Sequence, residues 1–174
     1  MSNFNIAGQV DFPPKHLHCF RDGWYNRVFR DPLTDVHPLK SLTQETLYFC
    51  EMNVEWGRNT AYFHRDGKHG FLFAKAFRRF YNLKLKCTLS NGLDITLDPE
   101  LFGRRTFFEY KNLRYRWSGV NKLKRQDGVV IALFERDYFK LGRVGMLHVF
   151  EEGKDMLDIV IATLTILMVW MQQN

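Results

Sequence analysis

The segment from Met156 onward constrains the fold of this chain more than any other part. Its sixteen residues from Met156 to Met171 include one charge, Asp158, and no charge lies beyond that position. A helix that is apolar on all sides has to be buried, either in a membrane or in a protein core. The segment is therefore either a membrane anchor or a core element around which the rest of the chain wraps.

Length decides between these two. As a helix, sixteen residues reach about 24 Å, whereas a membrane span needs ~30 Å and about 20 apolar residues. The run is followed by Gln172, Gln173 and Asn174 and not by Lys or Arg, which usually flank a tail anchor. We predict a buried core helix over about Met156–Met171 and no transmembrane span. A buried strand stays open, because Ile, Val and Thr dominate residues 159–166.

Net charge indicates the class of binding partner, and cysteine content indicates the cellular compartment. The net charge of +6 favours acidic partners: nucleic acid, anionic lipid headgroups or an acidic protein. Three widely spaced cysteines, Cys19, Cys50 and Cys87, argue against a disulfide framework and for a reducing compartment. No secretory signal is recognisable at the N-terminus. We predict a cytoplasmic protein, either free or peripheral to a membrane.

Short alternating segments separated by turn signals occupy most of the remaining chain. Asp66-Gly67 and Asn91-Gly92 each lie between apolar runs and predict β-hairpins. Residues 71–80 are the one competing helix. Residues 1–20, with Pro13-Pro14, predict an extended N-terminal arm, and residues 21–174 predict one domain. Many short strands indicate a sandwich or a barrel.

A closed antiparallel β-barrel fits both signals. An all-apolar helix needs an apolar wall on every side, and the inward faces of a barrel supply that wall. Closure also removes the exposed sheet edges. We therefore predict a mostly β fold, a closed barrel around a central C-terminal α-helix.

Several short motifs occur in an order that resembles a known family. They are Leu113–Trp117, Val129–Phe134, Gly145–Val149, Gly153 and Met156–Asp158, followed by the apolar run. This order resembles a domain family of unknown function in mushroom-forming fungi. That family looks related to the Tubby C-terminal-like fold, which LURP-one proteins and phospholipid scramblases share.

The resemblance implies a barrel of twelve antiparallel strands around a hydrophobic C-terminal helix. It also implies a lipid partner, because Tubby proteins bind phosphoinositides at a basic surface site and scramblases act at membranes. The calcium-related segment and the cysteine cluster of scramblases are not recognisable in this sequence. The motif of the Tubby lipid site is not recognisable either, so no residue is transferred from it.

Two groups of basic residues are candidates for anion binding. Interleaved basic and aromatic side chains suit a membrane surface or a single-stranded nucleic acid. The first group, beside Phe77, Phe80 and Tyr81, is Lys75, Arg78 and Arg79. The second, denser group is Arg104, Arg105, Lys111, Arg114, Arg116, Lys122, Lys124 and Arg125. The alternative for both is ordinary exterior charge that prevents aggregation.

The sequence contains no recognisable catalytic or metal site. His16 and His18 would share one side of a strand, but Cys19 would face the other and no second pair has zinc spacing. Neighbouring carboxylates lack a nucleophile or base context; they are Asp94, Asp98 and Glu100, and Glu135 and Asp137. We predict no enzymatic activity, no metal site and no cofactor.

The leading functional hypothesis is a non-enzymatic barrel domain that binds an anionic partner, namely phosphoinositide or other anionic lipid at a membrane surface. The alternative is a structural or protein-interaction module that self-associates and binds no small ligand, supported by the 16% aromatic content. Nucleic-acid binding is a weaker hypothesis. It would require stacking by Tyr110, Tyr115 or Trp117.

Overall fold

The described part of the chain forms one closed barrel. This computed structural model describes residues 15–22, 26–30, 46–55, 57–79, 84–100, 104–138 and 143–170. Within them, each of twelve antiparallel strands pairs with the next along the chain, and the last pairs with the first. The strands are β1 (Lys15–Asp22), β2 (Asn26–Arg30), β3 (Thr46–Glu55), β4 (Arg58–Arg65), β5 (Leu72–Arg79), β6 (Leu85–Leu89), β7 (Asp94–Pro99), β8 (Arg105–Tyr110), β9 (Leu113–Ser118), β10 (Lys122–Arg125), β11 (Val130–Arg136) and β12 (Arg143–Val149). The predicted barrel is confirmed.

The apolar segment is the helical core of this barrel. A 3-10 helix (Glu151–Met156) leads into helix α1 (Leu157–Trp170), and every residue from Ile159 to Trp170 is buried. The predicted core helix is confirmed and the strand alternative is wrong. Met171 lies outside the described residues. Among the described helices, none has the length and apolar character needed to cross a membrane.

Two threonines give the apolar helix internal polar anchors. The indole Nε1 of Trp117 on β9 donates a hydrogen bond to Thr163 Oγ1 at 2.9 Å. That hydroxyl in turn donates to the carbonyl of Ile159 at 2.7 Å, and Thr165 Oγ1 donates to the carbonyl of Ile161 at 2.8 Å. These bonds satisfy polar groups whose burial without partners would cost free energy.

Two arginines from one hairpin hold the two ends of helix α1. Arg65, at the end of β4, forms a bidentate ion pair with Asp158 in the first helical turn. Arg78, near the end of β5, donates to the carbonyl oxygen of Trp170 in the last turn at 2.7 Å. A carboxylate near the N-terminus and a cation near the C-terminus both complement the helix dipole. The β4–β5 hairpin thus fixes the axial position of the helix.

Two sequence predictions need correction, one in its boundary and one in its type of secondary structure. The extended arm predicted for residues 1–20 extends too far, because residues 15–20 belong to β1 and pair with β2 and β12. Residues 1–14 lie outside the described residues. The competing helix over residues 71–80 is wrong, because Leu72–Arg79 is strand β5. Both predicted hairpins are confirmed, with Gly67 and Gly92 at positive φ in their turns.

All three cysteines are free and buried in the barrel wall. Burial raises the pKa of the Cys50 and Cys87 thiols to about 12 and that of the Cys19 thiol further. A thiol held protonated is a poor nucleophile and a poor metal ligand. These cysteines therefore serve as small core residues, in keeping with the prediction that no disulfide framework exists.

Candidate anion-binding surface

The outer side of strands β8, β9 and β10 carries the densest group of cations. Side chains alternate between the two sides of a strand, and the inward positions on β9 and β10 are taken by buried Tyr115, Trp117 and Leu123. The intervening basic residues therefore point outward. We define the basic face as the outward cations of these strands, which are Arg105, Arg114, Arg116, Lys122 and Lys124.

Strand register makes the basic face contiguous. Arg116 on β9 lies directly opposite Lys124 on β10. Ser118 lies opposite both Lys122 on β10 and Arg105 on β8. Directly opposed residues have Cβ atoms about 4.5–5.5 Å apart. The structure thus brings together five of the basic residues that the sequence proposed.

The basic face is not neutralised by its neighbours. No ion pair joins its five cations to a carboxylate of the described residues. Glu109 is the acidic residue in register with this face, opposite Arg114. The Arg114 guanidinium instead lies 4.4 Å from the centre of the Phe107 ring. Within the described part of the chain, the buried Nε of Arg116 has no hydrogen-bond acceptor.

The three other residues of the second candidate group lie outside the basic face. Arg125 is bound to Asp127 through contacts of 2.6 to 3.1 Å. Its hydrogen bonds lower the pKa of the Asp127 carboxyl and raise the pKa of Arg125 itself. Arg125 is therefore neutralised locally. Arg104 is exposed just before β8 and adjoins the basic face at its edge. Lys111 is in the β8–β9 turn, 5.3 Å from the Tyr110 ring centre.

The first candidate group is divided between the two sides of β5. Lys75 and Arg79 point outward, where exposed Phe77 lies 5.2 Å from the Arg58 guanidinium and 6.0 Å from that of Arg79. Arg78 points inward to the end of helix α1. Arg78 is thus placed as a structural residue that stabilises the helix. Phe80 and Tyr81 lie outside the described residues.

Strands β6 and β7 separate the two groups. The outward charges on these strands and just before β6 are paired, Lys86 with Asp94 at 2.6 Å and Lys84 with Asp98 at 3.2 Å. Neighbouring strands are about 4.8 Å apart, so β5 and β8 are separated by about 14 Å of sheet. The proposed cations therefore do not form one patch, and the basic face is the larger cluster without ion pairs.

The candidate metal and catalytic residues are also placed by the fold. His16 faces His148 across β1 and β12, while Cys19 points into the core. The carboxylates Asp94, Asp98 and Asp137 each pair with a Lys or Arg. Among the residues that the structure describes, no group of three or more His, Cys, Asp or Glu could hold a metal ion.

The aromatic residues required for nucleic-acid stacking do not line the basic face. Trp117 is fully buried and Tyr115 is 5% exposed, since both point inward on β9. Base stacking needs an accessible ring. Of the three aromatics that the nucleic-acid hypothesis names, only Tyr110 is partly exposed.

Comparison with known proteins adds no assignment. No family model, no curated protein and no solved structure matches this chain.

Proposed function

We propose that this chain is a non-enzymatic barrel domain that binds anionic lipid headgroups, of the phosphoinositide type, at a cytoplasmic membrane surface. The observation that carries the proposal is the direct opposition of Arg116 and Lys124 without a neutralising carboxylate. Like charges opposite one another destabilise a sheet. A surface that keeps such a pair gains stability when an anion binds between them.

The spacing of this pair suits a phosphate group. Two side chains with Cβ atoms about 5 Å apart can both contact one phosphate. A guanidinium offers two parallel donors to phosphate oxygens, and an ammonium contributes a compact charge. Arg114 and Lys122 flank the pair and extend the positive surface toward a second phosphate or a neighbouring headgroup.

Two further considerations support a lipid over other anions. Helix α1 fills the barrel interior, so a ligand has to bind on the outer surface. A basic surface on the side of the barrel suits contact with the plane of a membrane. The motif order between Leu113 and Asp158 resembles the fungal family related to the Tubby-like fold, and that resemblance implies a phosphoinositide partner. A net charge of +6 adds long-range attraction to an anionic membrane.

Vesicle sedimentation tests the proposal with a charge-matched control. Each basic residue near an anionic surface contributes about 1 kcal/mol. Arg116→Ala/Lys124→Ala is therefore expected to weaken binding to phosphoinositide-containing vesicles roughly 30-fold. Lys84→Ala/Lys86→Ala removes the same charge from two ion-paired positions, one just before β6 and one on it, and should change binding only a few-fold.

The same assay can also contradict the lipid-binding proposal. The proposal predicts binding that weakens with added salt, because surface charge interactions are screened. Equal binding to neutral phosphatidylcholine vesicles would contradict it, and so would equal losses in the two double variants. Circular dichroism of both variants checks that the fold is kept.

A second candidate function, self-association, is favoured by exposed apolar side chains on the β4–β5 hairpin. Tyr62, Leu72 and Phe77 are 38%, 40% and 40% exposed, and Phe71 in the adjoining turn is 56% exposed. Contiguous apolar surface often marks a protein contact.

If this hairpin mediates self-association, light scattering should show a mass that rises with concentration, and Phe71→Ser/Phe77→Ser should abolish that rise. A constant monomer mass in the micromolar range would exclude this candidate.

A further inference from the structure

Two histidines meet at the seam where the barrel closes. His16 on β1 and His148 on β12 are direct cross-strand neighbours on the outer side, and their Nδ1 atoms are 2.6 Å apart. The ring centroids are 4.7 Å apart and the rings are nearly perpendicular. The two residues are 132 positions apart in the chain. Their contact joins the first strand to the last.

A carboxylate on the neighbouring strand lies close to one of these rings. Glu135 on β11 has a carboxylate oxygen 3.4 Å from Nε2 of His148, within ion-pair distance, although this nitrogen has no hydrogen-bond partner among the described residues. A proton on Nε2 is favoured by this carboxylate, which leaves the Nδ1 lone pair of His148 directed at His16. A short Nδ1···Nδ1 contact between two neutral rings then requires that His16 supply the single shared proton.

The two Nδ1 atoms face each other across the position that a metal ion would take. We propose that His16 and His148 form a two-histidine site for a divalent transition metal, with water completing the coordination and the Glu135 carboxylate next to His148 adding negative charge. On metal binding, the proton on Nδ1 of His16 is replaced by one on Nε2 of the same ring, exchanged through solvent with no net release, and each neutral ring gives one Nδ1 lone pair to the metal. Imidazole nitrogen suits Zn²⁺, Ni²⁺ and Cu²⁺, and a carboxylate behind a ligating histidine is a common arrangement.

Distance and charge are compatible with this site. Two nitrogens each 2.0–2.1 Å from a tetrahedral metal are about 3.3 Å apart, so the rings must separate by less than 1 Å. The side chain of His148 is 16% exposed and that of Glu135 is 53% exposed, so an ion can reach the site from solvent. Burial, followed by the neighbouring His148, lowers the pKa of His16, and Glu135 acts in the opposite direction.

A metal at this position would link strands β1 and β12, where the barrel closes. It would bind the native chain, in which β1 and β12 are paired, and not the unfolded chain, in which these residues are far apart. Ligands that bind only the native state raise its stability by mass action. The site therefore couples metal availability to closure of the barrel.

Thermal unfolding of the full chain without a polyhistidine tag tests the proposal. After chelator treatment, Zn²⁺, Ni²⁺ or Cu²⁺ at about 100 times its dissociation constant should raise the Tm by about 5–10 °C. His16→Ala and His148→Ala should each remove this shift. His64→Ala/His69→Ala, which alters two histidines of the β4–β5 hairpin, should retain it. Glu135→Gln should weaken metal affinity about 10–100-fold.

Spectroscopy provides a readout that is independent of stability. The electron paramagnetic resonance spectrum of bound Cu²⁺ should show coupling to two nitrogens in the native sequence, and neither single-alanine variant should retain that pattern. Absence of any metal-dependent Tm shift in the native sequence would overturn the proposal and leave a hydrogen-bonded pair only. An equal shift in His16→Ala and in the native sequence would overturn it as well.

Discussion

Replacement of Ile161 by Asp is expected to abolish folding of the barrel. Ile161 lies in the middle of helix α1, its side chain is fully buried, and β-strands surround it. An unpaired carboxylate at this position loses its hydration, which costs several kcal/mol. The whole domain is expected to be stable by only about 5–15 kcal/mol. Leu164→Asp, at an equally buried position, should have the same effect.

The matched control for these variants is Leu93→Asp. Leu93 is 41% exposed beside the Asn91-Gly92 turn, so the same side chain is introduced where water can solvate it. The measurements are the yield of folded protein and the Tm from circular dichroism. Leu93→Asp should remain close to the native Tm. If Ile161→Asp and Leu164→Asp also retained the native Tm, the central position of the helix would be refuted.

Replacement of Trp117 by Ala is expected to produce the second largest effect. Trp117 is fully buried and is among the largest side chains of the core. Its removal leaves a cavity between strand β9 and the helix, and such substitutions cost about 3–5 kcal/mol. Urea unfolding should therefore show a large decrease in the midpoint. An effect below about 1 kcal/mol would show that the indole does not pack between the sheet and the helix.

The hydrogen bond of Trp117 can be separated from its packing by a double-mutant cycle. Thr163→Val removes the acceptor and leaves the buried indole N–H without a partner, which costs about 1–3 kcal/mol. Trp117→Phe removes the donor and keeps an aromatic ring. The double variant should be less destabilised than the sum of the two single variants, because it leaves no orphaned N–H group. Strict additivity would show that the 2.9 Å contact contributes nothing.

The fold was predictable because its strongest signals are local. The apolar run after Met156 has no charge beyond Asp158, so a helix formed by it has to be surrounded by apolar side chains. Asp66-Gly67 and Asn91-Gly92 specify tight turns through their backbone preferences. The competing helix at residues 71–80 failed because exposure alternates along β5 between Ala74, Lys75 and Ala76, which is a strand pattern.

The site was predictable only in part, because contacts across strands depend on register. The sequence singled out the dense basic group that contains Arg114 and Arg116, and alternation along β9 puts both on one side of the strand. The opposition of Arg116 and Lys124 could not be derived without the register of β9 and β10. His148 was missed as the partner of His16 for the same reason. Arg78 was grouped with anion-binding residues because nothing local reveals its contact with the Trp170 carbonyl.

The position of the core helix after all twelve strands has a consequence for biosynthesis. Chains are made from the N-terminus at about 5–20 residues per second, so β1 precedes helix α1 by roughly 7 to 30 s. During that interval the apolar sides of the completed strands have no helix to pack against, and β1 has no β12 with which to pair. The nascent chain is therefore exposed to aggregation until helix α1 emerges, which makes it a candidate for chaperone protection during translation.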